Sequence, residues 1–162
     1  MRPMHWFLSL SLCLTLSACP ESLPIEDDPG EQAKAQAAAS RYFEALVKGD
    51  QDTVLMLSVL PFWGDGDLIK ERDVLTEEVS RQISSVKDQA FDVQVEGSHF
   101  MTLEQVRVVM PALYERIQEA DLADTRLYVV ALRVRLGENA EHGVILVRQD
   151  EDGLWKVMGI GD

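Results

Sequence analysis

The side chains here that could do chemistry are two close aspartates, two isolated histidines and a scatter of aromatic residues. Asp65 and Asp67 flank Gly66 and follow Phe62 and Trp63. A carboxylate beside an indole can have its pKa raised and then act as a general acid or base. The same residues also make a glycine-rich turn with solvated aspartates and an aromatic plug. His99 could complete a proton-transfer pair with either aspartate, whereas His142, next to Glu141 in a polar turn, reads as solvent-facing. Tyr42, Tyr114 and Tyr128 join Phe62, Trp63, Asp65 and Asp67 as the candidate lining of a pocket or its mouth. Aromatics at helix and strand spacing are equally the pattern of a packed core. Asp65-Gly66-Asp67 lacks the further oxygen ligands of a calcium loop. No metal is therefore expected, and no phosphate-binding or dinucleotide glycine motif points to a cofactor. A buried carboxylate–histidine pair would favour catalysis, an apolar cavity would favour binding, and a filled interior would favour a structural role.

The sequence has 162 residues with 15 basic and 28 acidic side chains, a formal charge of −13. That balance opposes nucleic-acid binding, which needs clustered Lys and Arg against phosphate. It also opposes electrostatic adhesion to anionic lipid. A hydrophobic content of 46% is ample for one folded domain.

Before such a domain can fold, the N-terminal segment states an address. Met1 to His5 carries one firm positive charge, Arg2, and Trp6 to Leu16 is apolar. The run is shorter than the roughly 20 residues of a membrane-spanning helix. A positive head, an apolar middle and small residues before a break form an export signal. Leu16-Ser17-Ala18-Cys19 resembles the lipobox of bacterial lipoproteins. That resemblance implies removal of residues 1–18 and lipidation of the Cys19 thiol, with the membrane as partner through that lipid. Cys13 would be discarded with the signal, leaving no thiol for disulfides or metal. More than one acyl chain anchors a protein stably without spanning. Pro20, standing where aspartate would signal inner-membrane retention, favours the periplasmic face of the outer membrane. Residues 19–28, with Pro20, Pro24 and several acids, read as a tether.

Residues 29–162 read as one domain. Asp28 and Pro29 start a helix, with Glu31 placed to reach back, and Gly49 ends it. Asp50 caps a second helix through Ser58, and Leu60 to Asp67 reads as a loop. Leu75, Val79, Ile83 and Val86 share one face of a helix over 73–86. Phe91, Val93 and Val95 alternate as a strand. Thr102 and Gln105 form a capping box for a helix that Pro111 should kink or divide. Strands over 126–136, 143–149 and 154–160, joined by short turns, must run antiparallel.

Helices first, then a strand, a helix and an antiparallel meander make an α+β arrangement of N-terminal helices on a curved antiparallel sheet. Ser40-Arg41-Tyr42-Phe43-Glu44-Ala45-Leu46-Val47-Lys48-Gly49-Asp50, Leu60-Pro61-Phe62-Trp63-Gly64-Asp65-Gly66 and Asp152-Gly153-Leu154-Trp155-Lys156-Val157 resemble the opening helix, following loop and final strand of the nuclear transport factor 2-like superfamily. The resemblance implies a cone enclosing a cavity, in a family that includes isomerases, dehydratases, cyclases and non-catalytic domains. Fold alone cannot choose among these. The reading carried forward is a lipid-anchored envelope protein whose cone binds a partner protein or a small apolar ligand. A lyase, isomerase or cyclase-like enzyme and a purely structural component are the alternatives, and pairing of two copies through the sheet is a further arrangement the pattern admits.

Overall fold

Capping chemistry sets the first helices. In the computed structural model, which describes residues 28–64, 66–86, 91–120, 122, 126–136 and 139–161, the Asp28 side chain accepts from the Gly30 amide at 2.8 Å. Helix α1 (Pro29–Lys48) starts there with proline in its first turn and ends at Gly49, φ 72°. Beyond it the Gly49 and Asp50 amides donate to the carbonyls of Leu46 and Ala45, the two bonds of a left-handed glycine cap. Asp50 then accepts from Thr53 to open α2 (Gln51–Leu57). Glu31 does not fold back on the helix start as the sequence suggested. Its carboxylate accepts from the Trp155 indole at 2.6 Å and from Lys34 at 2.7 Å, because a largely buried indole N–H needs an acceptor.

The loop expected over 60–67 is instead a hairpin. Strand β1 (Ser58–Gly64) pairs antiparallel with β2 (Asp67–Ile69) through Gly66, whose φ of 81° suits a tight turn. Helix α3 (Arg72–Val86) follows, then β3 (Phe91–Met101), which is longer than expected and bulged between Val95 and Gly97. Thr102 and Gln105 form the anticipated capping box of α4 (Leu103–Val109). Pro111 divides the segment cleanly, taking the first turn of α5 (Pro111–Glu119), where its missing N–H costs nothing. Strands β4 (Leu127–Leu136), β5 (Asn139–Gln149) and β6 (Trp155–Gly161) close the chain as an antiparallel meander.

The six strands order as β2-β1-β6-β5-β4-β3. One pairing corrects the all-antiparallel expectation: β1 runs parallel to β6, so the sheet is mixed. Its register slips between Ser58 and Trp63, the stretch that holds Pro61, which has no amide to give a ladder. Arg148 fills the irregularity, donating to the Leu60 carbonyl at 2.6 Å.

Alternation along the strands sends side chains into two cores. Tyr128, Val130, Ile145, Val147, Trp155 and Val157 meet α1, α2 and α3 on one face. Leu127, Leu146 and Met158 meet α4 and α5 on the other. The segment from 103 to 119 therefore covers the face of the sheet that α1 leaves bare. The architecture is α+β, with helices on both faces of one sheet.

Candidate functional site

The β1–β2 hairpin divides its two aromatics between the cores, and this places the site. Phe62 faces the α1 side and has no exposed surface. Trp63 faces the α4–α5 side, and its backbone lies tight on β6 at Gly159. A Cβ at Gly159 would stand 2.6 Å from both the Trp63 Cβ and its carbonyl oxygen, so only glycine permits this approach. Trp63 is thereby fixed at the end of β1, 8% exposed, on the wall of a cleft of about 800 Å³.

Six elements contribute to that cleft. Phe43 and Leu46 come from α1, Trp63 and Gly64 from β1, Ile160 and Gly161 from the end of β6, and Val109 to Leu113 from the α4–α5 joint. Helix α3 adds Val86 and three polar residues, Glu78, Gln82 and Ser85. No Lys, Arg or His is among the described lining residues. Val109 stands at its rim, 67% exposed.

The polar residues form a chain. The Tyr42 hydroxyl, buried behind the cleft, donates to the Gln82 Oε1 at 3.4 Å, and Gln82 Nε2 donates to Glu78 Oε1 at 2.9 Å. Arg81 sits at 2.7 Å from Glu78 Oε2. The Glu78 side chain is only 9% exposed, whereas that of Arg81 is 67% exposed. Burial pushes the Tyr42 phenol above its ordinary value, opposed by a hydrogen bond with Ser58 and reinforced by the charge of Glu78. Tyr42 is thus a neutral donor at physiological pH.

The candidates named from sequence scatter. Trp63 lines the cleft. Tyr42 and Phe62 are fully buried in the first core, and Tyr42 reaches the cleft only through Gln82. Tyr128 is core as well, edge-on to Phe100 at 5.4 Å and to Trp155 at 5.0 Å. Tyr114 packs half-buried against the second core. Asp67 is held outside the cleft lining, where it accepts from its neighbour's amide and from Arg116 at 3.2 Å. Asp65 and Cys19 lie outside the described residues.

The pairing of Asp67 with His99 is corrected by topology. Asp67 is on β2 and His99 on β3, the two opposite edges of the sheet. Five inter-strand steps of about 4.8 Å separate those edges along the sheet. His99 is exposed there, and His142 is exposed with its ring 3.2 Å from Glu96. Among the described residues no cluster of His, Cys, Asp and Glu could hold a metal ion, and no helix is long and apolar enough to cross a membrane.

Glu78 and Gln82 were missed from sequence, though a signal existed. Leu75, Glu78, Val79, Gln82, Ile83 and Val86 fall on one helical stripe. A carboxylate and an amide set into an otherwise apolar stripe must be buried with partners or must face a cavity. Here they do both.

No known family matches the sequence, and no curated protein does. Two solved structures are similar in fold. A candidate ketosteroid isomerase from Shewanella frigidimarina has a TM-score of 0.49 at 8% identity, over 78% of this chain and 92% of that one. An LEH-like epoxide hydrolase from M. tuberculosis has a TM-score of 0.40 at 13% identity, over 80% and 81%. Neither likeness gives any residue of this chain a role.

Proposed function

We propose that this domain binds a small, largely apolar molecule in the cleft over the ends of β1 and β6, and that lipid on Cys19 holds it at the bacterial cell envelope. The observation that carries the binding reading is the cleft wall itself. Trp63, Phe43, Leu46, Val86, Met110, Leu113 and Ile160 converge on one space, with one buried charged side chain, Glu78, among the described lining residues. A concave, mostly apolar site with a few placed polar groups is the usual form of a small-molecule site. The tether rests on the sequence alone: Leu16-Ser17-Ala18-Cys19 after a short apolar run.

A second reading, proton-transfer catalysis in the same cleft, has Glu78 in its favour. A carboxylate at the cleft wall, backed by an amide and a phenol, could take a proton. Against it, Arg81 holds the carboxylate as an ion pair.

The test is isothermal titration of the full chain in detergent with 1-naphthol, the blank titration into detergent removing the micelle contribution. One saturable site is expected, weakened about tenfold by Trp63→Ala, a loss of ~1.4 kcal/mol that is modest for an aromatic anchor. Equal binding by wild type and Trp63→Ala would overturn the reading.

A further inference from the structure

We infer that the ligand of the cleft is a cation: an apolar body carrying a protonated amine, whose nitrogen pairs with Glu78. The inference rests on the binding reading above and adds to it the sign of the charge. Among the described lining residues Glu78 is the only ionisable one, and its side chain is 9% exposed. An ionised carboxylate in such a place costs free energy unless donors face it. Two donors do, the Gln82 amide at 2.9 Å and Arg81 at 2.7 Å, one to each oxygen. Each carboxylate oxygen accepts more than one hydrogen bond, so capacity remains on the cleft side.

The rest of the wall agrees with a cation and opposes an anion. Among the described lining residues there is no basic side chain to pair with a carboxylate or phosphate ligand. Trp63 and Phe43 present aromatic rings, which attract ammonium groups. The low-dielectric wall strengthens the pairing relative to water. At longer range the formal charge of −13 draws cations toward the molecule and repels anions. Arg81, 67% exposed on its side chain, is the competitor: it occupies the same carboxylate that the ligand would use.

Three probes with one ring system separate the possibilities: 1-naphthol, 1-naphthylmethylamine, which is protonated at neutral pH, and 1-naphthoate. Each is titrated calorimetrically into the full chain in detergent, with the same blank. The amine should bind at least about tenfold tighter than the carboxylate, the scale of one charge-assisted hydrogen bond. Glu78→Gln should erase that preference, so that the amine and the carboxylate bind within about twofold of one another. Arg81→Ala, on an exposed side chain, should tighten amine binding by freeing its partner, and it keeps the test decisive if Glu78→Gln does not fold. Equal binding of amine and carboxylate, or weaker amine binding in Arg81→Ala, overturns the inference. If 1-naphthol still depends on Trp63, the cleft stands as a site with the wrong charge assigned. If none of the three binds, the cleft reading falls with it.

Discussion

Glu31 illustrates how one side chain joins distant parts of the chain. It sits in the first turn of α1, yet its carboxylate accepts from Trp155 on β6, from Gln149 on β5 and from Lys34. The Lys34 hydrogen bond, then that of the Trp155 indole, holds its pKa below the ordinary 4.5. Asp50 is lowered by Thr53, and Asp150 is lowered because bonds from Lys156 and backbone amides outweigh its burial. A depressed carboxylate contributes stability that is present above its unfolded pKa and is lost as pH falls through its folded one. Thermal melts should therefore be flat above about pH 5 and fall steeply below about pH 4, as expected for carboxylates of unfolded pKa ~4. Glu31→Gln should lower the melting temperature at neutral pH and shallow the acid limb. An acid limb identical to wild type would mean that the Glu31–Trp155 bond is not formed in solution.

Elements with local causes were legible in the sequence. The α1 caps, the Thr102–Gln105 box and the Pro111 division all follow from residues within four positions of one another, and each is found. The β1–β2 hairpin was not legible, because its strand character depends on β6, almost a hundred residues later, and Pro61 and Gly64 hide it. The site was half legible for a related reason. Phe62 and Trp63 are adjacent aromatics, and one step along a strand reverses the face. Which of them meets the cleft depends on a register that Gly159 alone makes possible. Gly159→Ala tests this at the scale of the strand pair. A Cβ at 2.6 Å from Trp63 backbone cannot be absorbed by a side-chain rotation, so a loss of about 1–3 kcal/mol in chemical denaturation is expected. A neutral effect would place the β1–β6 contact wrongly, and the position of Trp63 with it.

Across the whole molecule, the acidic charge, the proposed tether and the cleft fit one another. A strongly acidic domain is repelled by anionic lipid, so it stays at a membrane only if something covalent holds it there, and Cys19 is the residue whose context fits that task. Cys19→Ala should abolish incorporation of labelled palmitate and leave the domain's melting temperature unchanged. Normal labelling of that variant would refute the tether. The most direct test of a tethered ligand site is native mass spectrometry of the full chain, extracted from the envelope of its own host, beside Trp63→Ala. The wild type should begin at a lipidated Cys19 and carry a small non-covalent adduct, and the folded variant should carry the same lipid without the adduct. A wild type with an empty cleft, or an adduct retained in Trp63→Ala, would contradict the account.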